Sequence, residues 1–441
     1  MRRSMLVVAG LVTEIVYLIA VARLPLWRHG GRLVGWSDLL GGRQHSPVGL
    51  VAVLSILVAG YLGGWYLLAR RPHLPKHRIV IWSGAIVFSV TLVGLMPFTA
   101  DLFTYLSQAH SLTDLRINPL FTAPMSAGAD PLLAAYGTVY LSQPSAYGPV
   151  WVLLSAVGTL GPYDVGWGLL YLKALCVLSF LGCAWLLEKI LQAIQPQRAL
   201  LGLYLFAWNP LILLMAAGDA HNDIVMMLGV LLAFWLLLQE AWVPSFVVLT
   251  LSVLIKYVSI IFAAPFALYM WQVAPNRERL GALVRVAVAA LVVFLVFSLP
   301  LLLFGEPRNL SDPWFLQLVS RFLRPRNWPR RYADMATWIL VLGAVLFLAG
   351  YAILLWRFVV HRGRLPQLAL SKFMDLSFVL SLLAFLFGLA RSQPWHLIWP
   401  AALAGLSSKR WAWPVTAGLS IVLLASQVWV EWGAPGLPLQ F

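Results

Sequence analysis

Asp219, His221, Asn222 and Asp223 stand together in the stretch A-A-G-D-A-H-N-D-I, residues 216–224, between two strongly apolar runs. Three chemistries suit such a set. The residues can cap helix ends, which needs one Asp or Asn. They can ligate a divalent cation through imidazole and carboxylate, although no strict metal spacing is met. They can also hold sugar hydroxyls and orient a reacting phosphate. Four polar groups are more than a cap uses, so capping alone leaves part of the cluster unexplained.

Two further ionisable residues invite the same question. Asp101 follows an apolar segment in M-P-F-T-A-D-L-F-T-Y. A half-covered carboxylate there can serve as a general base, or it can cap the helix that starts at Leu102. Lys256 interrupts the apolar run L-I-K-Y-V-S-I-I-F. An ionisable residue in such a run marks a functional site, with a phosphate or a nearby aspartate as its partner, unless the side chain snorkels to an interface. Gln393-Pro394-Trp395-His396 forms another polar junction, where Trp395 and Trp399 also suit an aromatic belt.

The elements that must position these groups follow from composition. Hydrophobic residues make up 61% of the 441-residue chain and charged residues 11%, far from a soluble domain. Apolar runs long enough for a bilayer helix recur along its length, so the expectation is an all-α polytopic membrane protein forming a single integral domain over 1–441. The spans expected lie near 5–24, 48–69, 79–98, 165–187, 199–217, 222–240, 244–256, 257–272, 280–304, 334–357, 368–390, 395–408 and 411–430. The first reads as a retained helix, although Ala20-Val21-Ala22 also resembles a cleavage site. Cys176 and Cys183, at i and i+7 of one span, are about 10 Å apart along a helix axis, which excludes a disulfide between them.

The formal net charge of +15 does not indicate nucleic acid, because the basic residues sit in short loops and report orientation. With the amino end inside, eleven of the sixteen acids fall outside. Two outer segments depart from simple spanning. Residues 99–164 form a large outer loop in which Leu102, Tyr105, Leu106, Ala109 and Leu112 have the spacing of a helix lying in the interface plane. Residues 305–333 form a basic outer loop with Arg308, Arg321, Arg324, Arg326, Arg330 and Arg331 among aromatics. An anionic ligand or lipid headgroups can compensate that charge.

Taken in order, Asp101 with Tyr105; Asn118-Pro119-Leu120; Tyr147-Gly148-Pro149-Val150-Trp151; Trp208-Asn209-Pro210-Leu211; His221-Asn222-Asp223; Lys256; and Gln393-Pro394-Trp395-His396 resemble the polyprenyl-phosphate-mannose-dependent alpha-mannosyltransferases of the GT-C superfamily, which extend mannan chains of mycobacterial lipoglycans. The resemblance runs from about residue 97 to residue 400, and departs where the family has Trp-Tyr and this chain has Trp395-His396.

It implies a GT-C bundle of about thirteen transmembrane helices with interfacial helices in the first large outer loop. The implied enzyme is an inverting hexosyltransferase. It moves mannose from a polyprenyl-phosphate donor to a hydroxyl of a glycan or glycolipid, in alpha linkage, on the extracytoplasmic side of the cell membrane. Asp101 would be the catalytic base. Lys256, His221, Arg324, Arg326, Arg330 and Arg331 would meet the donor phosphate, and Tyr105, Asn118, Tyr147, Asp219, Asn222, Asp223, Trp395 and His396 would line the sugar and acceptor site. No cofactor or metal is expected, and the partners are the lipid-linked donor, the acceptor and membrane lipids. A transporter or flippase of lipid-linked sugars is the rival reading, and a non-catalytic membrane subunit a third. No repeated HND-like or Lys256-like segment supports the transporter.

Overall fold

A computed structural model of the chain describes residues 2–28, 34–42, 45–70, 75–136, 139–161, 165–303, 333–360, 366–388 and 393–433. The described residues are almost wholly helical, with one isolated antiparallel bridge between Pro25 and Leu95. In chain order the helices are α1 Arg2–Arg23, α2 Val48–Arg70, α3 Pro75–Val93, α4 Asp101–Thr113, α5 Pro131–Tyr136, α6 Pro149–Val157, α7 Val165–Ile194, α8 Ala199–Ala207 and α9 Pro210–Leu213. They continue with α10 Asp223–Leu238, α11 Trp242–Ile255, α12 Ala263–Val273, α13 Arg279–Leu303, α14 Ala333–Val360, α15 Pro366–Leu383, α16 Ile398–Ala404 and α17 Ala412–Val428.

Each of the thirteen expected spans contains helix, but their lengths differ. Seven helices among the described residues are long and apolar enough to cross a membrane, or eight if α8 and α9, bent by 54°, make one span. The segments at 77–93, 223–238, 242–255 and 257–273 are shorter apolar helices. The expected span at 395–408 is a 3-10 turn, Pro394–Leu397, followed by the seven-residue α16.

Local chemistry accounts for the breaks. At Asn209-Pro210 the Asn209 carbonyl oxygen of the side chain accepts from the Leu211 and Ile212 amides at 3.0 and 3.3 Å, and Pro210 starts α9 where no donor is needed. A π-helical turn, Leu214–Gly218, then carries the chain into Asp219. At Lys256 the backbone is extended, φ −145° and ψ 116°, ahead of the β-branched pairings in Y-V-S-I-I that favour helix weakly.

Burial separates two classes of helix. α10 is apolar on all sides and packs against α7, α11 and α16, the pattern of a helix enclosed by protein. In contrast, only 11% of the apolar window of α13 is buried inside the protein against 56% for α7. Leu291, Val292 and Val296 of α13 and Leu342, Val345 and Leu348 of α14 are exposed, which fits surfaces solvated by lipid.

The helix expected in the interface plane is present as α4, but it is enclosed. Every residue from Asp101 to Ser111 is buried, the polar ones included. α5, α6 and α7 lie against it, and its polar side chains bond inward: Thr104 donates to the Ala100 carbonyl and Ser111 to that of Ser107. His110 lies 2.9 Å from Asp114 and 3.2 Å from Asp130. The polar face that would meet water is thereby covered by the rest of the 114–157 segment.

Candidate active site

Asp101 is the first residue of α4, and Ala100 takes the capping position without a side-chain bond. The carboxylate is therefore not consumed as a cap. It retains 12% side-chain exposure, and its Oδ2 lies 3.2 Å from Nδ1 of His221. The His221 ring has no exposed surface. Its other nitrogen faces Thr99 Oγ1 at 3.4 Å and Asp219 Oδ2 at 3.9 Å, and its face stacks on Trp395 with centroids 4.0 Å apart. Asp219 in turn accepts a 2.7 Å hydrogen bond from the Phe98 amide. Burial raises the Asp219 carboxyl above its ordinary range, while His221, the Phe98 amide and Lys173 pull it back.

The turn that delivers these groups is tight. Ala220 adopts φ +55°, a left-handed conformation that costs a residue with Cβ about 1–2 kcal/mol. Asn222 precedes α10 without capping it by its side chain. Its amide is fully buried, and neither Oδ1 nor Nδ2 has a hydrogen-bond partner. An amide in that state has unfilled capacity for water or a ligand hydroxyl.

Asp223, the first residue of α10, is fully buried and accepts three hydrogen bonds from two groups. The Lys256 ammonium lies 2.9 Å and 2.7 Å from its two oxygens, and the Trp399 indole N–H donates to Oδ1. Lys256 keeps 16% side-chain exposure and stands 5.9 Å from the ring centre of Tyr147 and 5.7 Å from that of Trp399. Tyr147 packs edge to face on Tyr105, and Tyr105 on Trp151. Burial pushes both phenols well above their ordinary range, with the nearby Asp101 adding to the effect. Both are neutral hydroxyls at physiological pH.

Gly148 brings that aromatic group against the break at Lys256. Its amide donates to the Ile255 carbonyl at 3.1 Å, and a Cβ at this position would meet the Leu254 carbonyl oxygen at 2.1 Å. Only glycine permits so close an approach.

The family model described as alpha-(1->6)-mannopyranosyltransferase, N-terminal domain, matches residues 7–273. The chain belongs to this family. Membership makes it a hexosyltransferase. It is also 25% identical over 426 aligned residues to alpha-(1->6)-mannopyranosyltransferase A of Mycobacterium tuberculosis (strain ATCC 25618 / H37Rv), covering 86% of this chain and 78% of the relative. The matched region of this mannosyltransferase-family chain holds Asp101, Tyr105, Tyr147, Asp219, His221, Asn222, Asp223 and Lys256, while Trp395 and His396 lie beyond it.

Of the residues anticipated from sequence, Asp101, Asp219, His221 and Trp395 form one row, and Asp223, Lys256, Tyr147 and Tyr105 form a second. Asn222 joins them along the chain. His396 packs beside Trp399 and accepts from the Gln393 amide at 3.2 Å. Asn118 is engaged in holding its loop: Oδ1 accepts from the Leu120 amide at 3.0 Å, and Nδ2 donates to the Leu301 carbonyl. Arg324, Arg326, Arg330 and Arg331 lie outside the described residues.

Three contributors were not anticipated. Trp399 reads from sequence as an aromatic-belt residue, yet its N–H is spent on Asp223. Thr99 carried no signal beyond its neighbourhood to Asp101. Lys173 was not singled out from the sequence, and it is fully buried in α7.

Proposed function

We propose that this protein is an inverting alpha-mannosyltransferase that moves mannose from a polyprenyl-phosphate donor to a hydroxyl of a glycan or glycolipid acceptor, with alpha-(1->6) linkage. The observation that carries the reading is Asp101, a partly exposed carboxylate that caps nothing and is backed by His221. In the reaction Asp101 accepts the proton of the acceptor hydroxyl as that oxygen bonds to C1 of the sugar. The bond from C1 to the phosphate oxygen breaks, and its electron pair leaves with the polyprenyl phosphate.

His221 has no surface of its own to offer a phosphate, so its role in this reading is to orient Asp101, with Asp219 and Trp395 fixing the ring. Lys256 meets the departing phosphate from the Asp223 side, where its charge opposes the negative charge that develops. Tyr147, which is only partly buried, offers a neutral donor and acceptor to hydroxyls, while Tyr105 and Asn222 are enclosed beside the site and act by holding its wall. Arg324, Arg326, Arg330 and Arg331 are assigned to the same phosphate by charge. Placing the site on the extracytoplasmic side follows from the loop charges of the sequence.

The test uses purified protein in detergent with radiolabelled polyprenyl-phosphate mannose and a lipid extract as acceptor. D101N is expected to abolish transfer while retaining donor binding. Transfer at the wild-type rate by D101N overturns the mechanism. Movement of the labelled donor across a vesicle membrane with no product favours the transport reading.

A further inference from the structure

Lys173 lies in the apolar interior of α7 with no exposed surface. A cation so placed costs several kcal/mol unless its protons are all received, and an ammonium has three to place. Here they go to backbone carbonyls. Lys173 donates to Leu92 and Ala217 at 3.3 Å each, and to Gly218.

The choice of carbonyls matters. Leu92 belongs to the end of α3, from which the chain runs through Phe98 and Thr99 into Asp101. Ala217 and Gly218 end the π-helical turn that runs into Asp219 and His221. Last-turn carbonyls lack partners within their own helix and carry the negative end of its dipole, so a buried cation there is compensated on the spot. The same face of α7 continues the contact. Cys176 Sγ approaches the Ala220 carbonyl at 3.3 Å, and Cys183 Sγ that of Ile224 at 3.6 Å.

We propose that Lys173 is a positioning residue for the catalytic row: its ammonium ties the segment that carries Asp101 to the segment that carries Asp219 and His221. The inference rests on the mechanism proposed above. A helix-packing role would need only an apolar side chain at this position. A tie between two segments needs a cation, because one group must satisfy carbonyls from both and stand behind Asp219.

K173M keeps an unbranched side chain one atom shorter and removes the charge. Displacement of a catalytic group by an ångström costs on the order of 100-fold in rate. K173M is therefore expected to lower kcat by about 10- to 100-fold with the donor KM within about twofold. Because Asp219 then loses its compensating cation, the loss in K173M/D219N should be smaller than the product of the two single losses. A K173M enzyme with kcat within about twofold of wild type, or losses that multiply in the double variant, overturns the proposal. If K173M does not accumulate as folded protein, K173Q, which retains an amide donor, takes its place in the same cycle with the same two outcomes. D101N at the full wild-type rate would instead overturn the underlying mechanism, and an inactive D101N beside a fully active K173M overturns the tie alone.

Discussion

The Lys256 ammonium lies 2.7 Å from Oδ2 and 2.9 Å from Oδ1 of Asp223, joining the extended break after α11 to the first turn of α10. This contact explains why a chain so apolar tolerates both charges. Asp223 has no exposed side-chain surface and Lys256 only 16%, so neither can be solvated fully by water. The ammonium reaches the carboxylate from a residue whose backbone is extended, at the break after α11. Part of the Lys256 side chain remains uncovered.

Removing one member of such a pair leaves the other buried and unmatched, at a cost of about 3–5 kcal/mol. K256M is expected to lower the midpoint of thermal unfolding in detergent strongly. K256M/D223N should recover part of that loss, because the uncompensated charge is gone, while transfer stays low in both. A K256M protein as stable as wild type would show that the pair does not hold the break.

Trp399 allows a finer version of the same test. Its indole N–H donates to Asp223 Oδ1, so W399F keeps most of the aromatic surface and deletes one donor. Loss of a donor to a buried group costs about 1–3 kcal/mol. W399F should therefore unfold earlier than wild type but later than K256M. An order reversed between the two would place the main support of Asp223 on the indole.

Much of this arrangement was legible in the sequence because polar residues stand out against an apolar chain. Asp101, the HND triplet and Lys256 were recognisable as one group, and the two Asn-Pro-Leu motifs proved to share one turn chemistry, with the Asn118 and Asn209 side chains accepting from the amide two residues on. What could not be read was pairing. Nothing in residue spacing says that His221 faces Asp101 and that Lys256 takes Asp223, since those partners meet only through tertiary packing. The burial of α4 was hidden for a related reason: its apolar spacing matches a helix with one wet face, and the covering by α5, α6 and α7 arises only when the chain folds back on itself. Lys173 was not singled out, and its carbonyl partners belong to α3 and the π-helical turn, which periodicity alone does not reveal.

Gly148 tests how tightly the aromatic group is held against the break. Its φ of −77° and ψ of 167° suit any residue, so the constraint is space: a Cβ would stand 2.1 Å from the Leu254 carbonyl oxygen. Overpacking of this kind costs about 1–3 kcal/mol. G148A is expected to lower the unfolding midpoint and, by pushing Tyr147 away from Lys256, to raise the donor KM. Unchanged stability and KM in G148A would show that the Leu254 segment shifts freely.

Asp219 makes a prediction in pH. Burial is the largest influence on this carboxyl and raises it above its unfolded value, which is about 3.9. The folded protein therefore holds this proton more firmly than the unfolded chain does. Stability from this group is complete below the unfolded value and is lost as pH rises through the higher folded value. D219N removes the titration yet keeps an oxygen able to accept from the Phe98 amide, as Oδ1 does now at 2.7 Å. Measured in detergent across the range from about pH 4 to about pH 8, the unfolding midpoint of D219N is expected to rise relative to wild type as pH increases. A relative fall over the same range would mean that His221 and Lys173 together outweigh burial, and that Asp219 is held as a stable anion behind the catalytic pair.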